Sequence, residues 1–170
     1  MIHISELIEV KDLNKKTNAC RILDKQKVNY ELREYAWSED SLDALHVAAE
    51  TGNNPAQIFK TLVLTGDKTG NIVACIPADK TLHLKHLAKI SGNKKCELIA
   101  VDTLEKLTGY IRGGCSPIGM KKLFPTFIDN SAESLDTILI SAGKRGLQIE
   151  LAPTDLKKVV RAEFAMITEE

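Results

Sequence analysis

Three short stretches carry residue types that could do chemistry. Thr108 to Gly119 reads TGYIRGGCSPIG, where paired glycines, a small polar residue and a proline meet within a few positions. Gly113 and Gly114 let the backbone take positive φ and come close to a ligand. Pro117 fixes its own φ, donates no N–H and pushes Ser116 towards an extended conformation. The product is a stiff loop whose amides can point at an anion or a polarised carbonyl; the same residues also suit a tight turn between core elements. Ser141 to Gly146, SAGKRG, gathers a hydroxyl, flexible backbone and two cations, which fits a ligand-binding turn or a hairpin with solvated charges. Lys60 stands inside the apolar run IFKTLVL with the Thr61 hydroxyl beside it. Such a lysine points outward over its neighbours, or sits at the mouth of a sheet-lined pocket aimed at a carboxyl, carbonyl or phosphate.

No nucleophile–base pair accompanies these stretches. The four histidines, His3, His46, His83 and His86, lie outside them. Cys115 is placed like a nucleophile, but no His or carboxylate stands near it in sequence to activate it. The cysteines, Cys20, Cys75, Cys96 and Cys115, show no CxxC or CxxH pairing, so neither a disulfide scaffold nor a zinc site is suggested. No metal or organic cofactor is called for.

The elements that position these groups read as one α+β domain. A chain of 170 residues with 44% hydrophobic content can bury a sizeable core. Its formal net charge of +0 argues against coating nucleic acid by bulk electrostatics and leaves room for a local basic face. No apolar run is long enough to span a membrane, and the N-terminus lacks a signal-peptide core, which points to the cytoplasm. Helical periodicity begins at Thr17 and runs to about Lys27; Tyr30 to Tyr35 reads as a strand and Ser41 to Glu50 as a helix. Asn54-Pro55-Ala56-Gln57 has the form of a brief helix start. IFKTLVL and NIVACIP flank a Gly66–Gly70 turn and form a hairpin in the centre of a sheet. Helices follow at Leu84–Ile90 and Asp102–Leu107, with strands at Cys96–Ala100, Thr126–Ile128, Thr137–Ser141 and Gly146–Leu151. A last helix starts at Pro153.

FKTLVL, then TGYIRGGCSPIG-KK, then SAGKRGLQIEL, in this order and at these separations, resembles the YbaK/EbsC family, stand-alone relatives of the editing domain inserted in bacterial prolyl-tRNA synthetases. The resemblance covers the chain from residue 17 to 170, with residues 1–16 an N-terminal extension of no clear family role. It implies a mixed, strongly curved, partly barrel-like sheet surrounded by helices. It also implies a cytoplasmic deacylase that clears misacylated Cys-tRNA(Pro). Lys60 matches the family's functional lysine, Gly113 to Pro117 (with Gly114, Cys115 and Ser116) its GxxxP loop, Tyr35 a tyrosine near the pocket, and Ser141 the serine ahead of the second glycine turn. In this family the substrate's own thiol is thought to attack its carbonyl, which fits the missing nucleophile. The enzyme must then position the thiol and stabilise the oxyanion, for which the Gly113–Gly114 amides are the candidates. Lys60, as an ammonium, would hold the terminal ribose or phosphate and assist the leaving 3′-oxygen. Thr61, Gly143 and Gln148 complete the expected substrate-binding set.

The sequence departs from the family pattern at Cys115, where an aliphatic residue is usual, at Gln148, where some relatives carry an acid, and at Trp37-Ser38-Glu39-Asp40, ahead of the second helix. The family implies the tRNA acceptor end as partner and docking on prolyl-tRNA synthetase. Basic pairs that could hold acceptor-end phosphates are Lys85/Lys89, Lys94/Lys95, Lys121/Lys122, Lys144/Arg145 and Lys157/Lys158, each equally readable as solvated surface. Two alternatives stay open: a deacylase for another small aminoacyl-tRNA such as Ala-tRNA(Pro), and a non-catalytic module that accompanies a synthetase.

Overall fold

The computed structural model describes residues 16–35 and 54–169. Nearly all of the expected N-terminal extension, the expected helix Ser41–Glu50 and the Trp37–Asp40 stretch lie outside the described residues. Described are four helices, α1 (Asn18–Lys25), α2 (Leu84–Ser91), α3 (Val101–Thr108) and α4 (Pro153–Val160). They accompany eight strands: β1 (Tyr30–Glu34), β2 (Phe59–Gly66), β3 (Gly70–Pro77), β4 (Cys96–Leu98), β5 (Thr126–Asp129), β6 (Ile138–Lys144), β7 (Leu147–Leu151) and β8 (Glu163–Ala165). The strands form a mixed five-stranded sheet in the order β4-β2-β3-β5-β8 and an antiparallel sheet in the order β1-β7-β6. A single parallel bridge, Ile58 to Leu139, joins the two at the start of β2. Among the described residues the sheets do not close into a barrel.

The β2–β3 hairpin is apolar because both of its faces are covered. Side chains alternate across a strand. Phe59 and Val63 of β2 and Val73 and Cys75 of β3 enter the larger core with α1, α4 and the inner face of β6–β7. Leu64, Ile72, Ala74 and Ile76 enter a second core with Leu87 and Ala88 of α2. A sheet buried on both sides reads as a continuous apolar run, and full burial of each large aliphatic side chain contributes about 1.5–3 kcal/mol. Truncating fully buried Ile72 to Ala would cost about 2–5 kcal/mol.

Caps set where the helices begin and end. Thr17 caps α1: its hydroxyl accepts from Cys20 N and donates to Ala142 O, which ties the helix to β6. His83 caps α2, its Nδ1 accepting from His86 N at 3.0 Å. The helix ends at Gly92, whose φ of 85° only glycine adopts readily. The expected helix start at Asn54 is instead a turn, in which Asn54 Oδ1 accepts from Ala56 N at 3.0 Å before the chain enters β2. Sequence periodicity also gives no hint of β8. Its short, half-exposed run pairs with β5, and the buried Asp129 carboxylate anchors the chain just beyond it. That carboxylate accepts from Ile167 N and the Thr168 hydroxyl, as well as from Ser131.

Candidate active site

Strand parity brings four of the expected residues to one face. The Ile58–Leu139 bridge places these two side chains in a small apolar cluster with Ala78, on the side of the sheets away from the larger core. Two residues on from each end of the bridge, on that same side, come Lys60 in β2 and Ser141 in β6. Gln148 pairs with Ser141 on one side and with Arg33 on the other. Tyr35 follows β1 with its amide donating to Gly146 O at 3.0 Å, and by alternation it shares the face of Arg33. Lys60, Ser141, Gln148 and Tyr35 therefore form one polar surface across the junction of the two sheets.

Gln148 is the most constrained of the four. It is only 4% exposed, and its Oε1 meets no hydrogen-bond partner among the described residues. A buried, unpaired amide oxygen costs about 1–3 kcal/mol, so a donor arriving on this face would be bound strongly. The Ser141 hydroxyl accepts from Gly143 N at 3.1 Å and keeps its proton to donate. Arg33 is a residue that no sequence pattern singles out. It is held by Glu150 (Nε to Oε1, 2.8 Å) and Glu31, while Glu150 also accepts from the Thr137 hydroxyl at 2.6 Å. The Thr137 hydrogen bond first, and then Arg33, holds the Glu150 carboxyl below its ordinary range. The chain of contacts continues from Thr137 to Gln57, which donates to its Oγ1 and backbone oxygen at 3.2 Å each, just before β2.

The glycine loop is locked against the β6–β7 turn. Gly113 takes φ 83°. Gly114 is small for a different reason. A Cβ there would stand 3.1 Å from Arg145 N and 3.3 Å from the Lys144 backbone, so only glycine lets the loop meet the β6–β7 turn. Tyr110 is the strut. Its hydroxyl donates to Ile118 O, and its ring fills the space where a Cβ on Gly143 would come within 2.7 Å. Burial pushes the Tyr110 phenol up to about 12, so it stays a donor. One expectation is corrected here. The Gly114 amide donates to Ile111 O at 2.9 Å, closing a turn, and is not available to an oxyanion. Among the described residues the amides of Gly113, Cys115 and Ser116 have no acceptor. Ser116 is fully buried, and its Oγ accepts from Ile118 N at 3.2 Å; Pro117 is buried beside it.

Thr61 and Cys115 are not brought to the Lys60 face. One position along β2, Thr61 turns to the larger core, opposite Cys75. Its Oγ1 meets no partner in hydrogen-bonding geometry, yet it lies near enough to Cys75 to counter slightly the burial that pushes that thiol up to about 12. The Cys115 side chain belongs to the same core, and its thiol is likewise raised to about 12 by burial. All four cysteines are free and buried. Among the described residues no group of three His, Cys, Asp or Glu is placed to hold a metal ion.

A family model for the aminoacyl-tRNA editing domain matches residues 39–159. The chain belongs to this family. Membership makes the protein an aminoacyl-tRNA hydrolase, and it puts Lys60, the glycine loop, Ser141 and Gln148 of this editing domain inside the matched region. A protein of Enterococcus faecalis is 53% identical over 93% of this chain and 96% of its own; its name, EbsC, carries a provisional Cys-tRNA(Pro)/Cys-tRNA(Cys) deacylase assignment. A proline–tRNA ligase of Brachyspira hyodysenteriae is 24% identical over 75% of this chain, which spans only 24% of that enzyme. A solved structure described provisionally as a trans-editing enzyme for prolyl-tRNA synthetase superposes with a TM-score of 0.77 at 20% identity, covering 91% of this chain and 99% of that one. At that identity the likeness speaks for the fold, a single α+β editing domain.

Proposed function

We propose that this editing domain hydrolyses misacylated Cys-tRNA(Pro) in trans, in the cytoplasm, with the nucleophile supplied by the substrate. The observation that carries this reading is the position of the protein's own thiols. All four are buried, and the Cys115 and Cys75 thiols are held protonated by that burial. Cys20, Cys75 and Cys115 lie in the larger core, across β2 from Lys60, while Cys96 is enclosed in the second core, its thiol directed to Leu84 O and raised by burial. The relationship to EbsC supports the same substrate class.

In this mechanism the cysteinyl sulfur attacks its own carbonyl carbon. The S–C bond forms, the C–O bond to the ribose breaks, and the thiol proton passes to the leaving 3′-oxygen. Water then opens the thiolactone to free cysteine. Lys60 supplies positive charge to the terminal ribose and the departing oxygen. The partly exposed Gly113 amide takes the oxyanion role in place of the Gly114 amide, which is already bonded. The unpaired Gln148 oxygen accepts from the substrate's α-ammonium, and Ser141 and Tyr35 border the aminoacyl group. The tRNA acceptor end is the ligand, and prolyl-tRNA synthetase is the partner that would supply tRNA identity.

The test is hydrolysis of Cys-tRNA(Pro) and Ala-tRNA(Pro) by the purified protein, with and without prolyl-tRNA synthetase. Cleavage of the cysteinyl ester alone is expected. Equal cleavage of the alanyl ester, which has no thiol, would remove substrate-thiol catalysis and demand an activated water. Cleavage of neither would leave a synthetase-associated binding module.

A further inference from the structure

The five basic pairs of the sequence fall in different places. Lys85 and Lys89 lie on α2 and Lys94 and Lys95 on its approach to β4, around the second core. Lys157 lies on α4 with its Nζ 5.8 Å from the centre of the Phe164 ring. Lys144 and Arg145 sit in the β6–β7 turn, against the Gly114 backbone and three residues beyond Ser141. Two further cations converge there. Arg145 Nε donates to Arg112 O at 2.8 Å, and Lys106, Arg112 and Arg145 line one recess of about 410 Å³, within the usual range of small-ligand pockets (about 300–1,000 Å³). Lys121 Nζ reaches the Lys106 carbonyl at 3.2 Å and adds a charge at the rim.

Asp102 and Glu105 of α3 share the recess, so it is not uniformly basic. Even so, Lys106, Arg112, Lys121 and Lys144 make no ion pair among the described residues, and their charge is available to a ligand. The wall also carries the exposed side chain of Ile111, 41% accessible, an apolar surface among cations. Cations beside an exposed apolar side chain match a single-stranded nucleic acid, which offers phosphates and unstacked base faces together. A neutral protein can hold RNA in this way only through a local patch of this kind.

We propose that the recess between α3 and the glycine loop, lined by Lys106, Arg112 and Arg145 with Ile111 on its wall, receives the single-stranded 3′ end of the tRNA just before its terminal nucleotide. This deepens the deacylase reading and rests on it for the identity of the RNA. The strand would pass over the β6–β7 turn and deliver its last residue to Ser141 and Lys60.

The test measures binding of uncharged tRNA(Pro), with its CCA end intact or removed, across a salt series. Each lost phosphate contact to a single strand lowers the log–log salt slope by about 0.7. Lys106→Ala/Arg112→Ala should therefore flatten the slope by roughly one to one and a half and abolish the preference for the intact end. Lys85→Ala/Lys89→Ala should keep both. A double variant that retains the wild-type slope and end preference overturns the proposal, and so does a defect that appears only when prolyl-tRNA synthetase is added. If the double variant proves unfolded by its melting curve, Lys106→Ala alone should show about half the slope change, and an unchanged slope there overturns the proposal as well. The assay requires no turnover. A protein that binds in this manner but cleaves no aminoacyl ester would sink the deacylase reading and keep this surface.

Discussion

Lys60 and Thr61 are adjacent in β2 and live in different environments. Lys60 shares a half-open face with Ser141, Gln148 and Tyr35, reached across the Ile58–Leu139 bridge. Thr61 faces the larger core with Cys75 and Cys115. Among the described residues each face holds one buried side-chain polar atom without a partner, Gln148 Oε1 on the first and Thr61 Oγ1 on the second. The difference lies in what could satisfy them. The Gln148 oxygen adjoins a surface that a substrate can reach, whereas the Thr61 hydroxyl is enclosed by apolar side chains and protonated thiols. A polar residue near a site is therefore evidence of chemistry only once its side of the strand is known.

The largest effect should come from the open face. Lys60→Ala removes the one cation of that surface contributed by the five-stranded sheet, while leaving its half-buried position easy to fill. Loss of a group that stabilises developing charge costs on the order of 100-fold or more in rate. The expected outcome is at least that fall in kcat/KM on Cys-tRNA(Pro) with an unchanged melting temperature. A folded variant with wild-type turnover would dissolve the distinction between the faces.

Gly143→Ala strikes the lock between them. Its φ of 98° disfavours any side chain, and the new Cβ would meet the Tyr110 ring at 2.7 Å. Backbone strain of this kind costs about 1–3 kcal/mol before the ring moves, so a fall of several degrees, about 5–10 °C, is expected in Tm. Because Tyr110 holds the glycine loop through Ile118, turnover should fall with stability. Gly143→Ala combined with Tyr110→Leu, which clears the hydroxyl and ring edge from that space, separates the two causes. Recovery of Tm without recovery of turnover would show that Tyr110 positions the loop.

Much of the scaffold can be read from local pattern. The two arms of the hairpin are apolar throughout because each faces two cores, and Lys60 is conspicuous against them. The glycine stretch announces a special backbone, and Gly113 and Gly114 do have distinct reasons to be glycine. Parity was not legible: a strand buried on both faces gives no alternation from which to assign Lys60 and Thr61, and only the Ile58–Leu139 bridge decides it. Nor did the spacing show that Gly114 spends its amide on Ile111. Arg33 and Glu150 meet across 117 residues of sequence, and Tyr110 acquires its role from a turn more than 30 residues downstream. Side chains whose roles depend on such distant partners leave no local trace.

The smallest predicted effect is also the sharpest test of the comparison. Thr61→Val keeps the β-branched shape and replaces an unpartnered buried hydroxyl by a methyl group. The deleted group carries an uncompensated desolvation cost of about 1–3 kcal/mol, part of which is offset by its contact with Cys75. A rise in Tm of a few degrees is therefore expected, about 2–4 °C per kcal/mol for a chain of this size, with deacylation of Cys-tRNA(Pro) within twofold of wild type. If the substitution instead stabilises the fold and lowers kcat while KM holds, the Thr61 hydroxyl reaches the reacting ester. Lys60 and Thr61 would then serve one site from both sides of β2, and the strand would have to twist enough there for parity to fail as a guide.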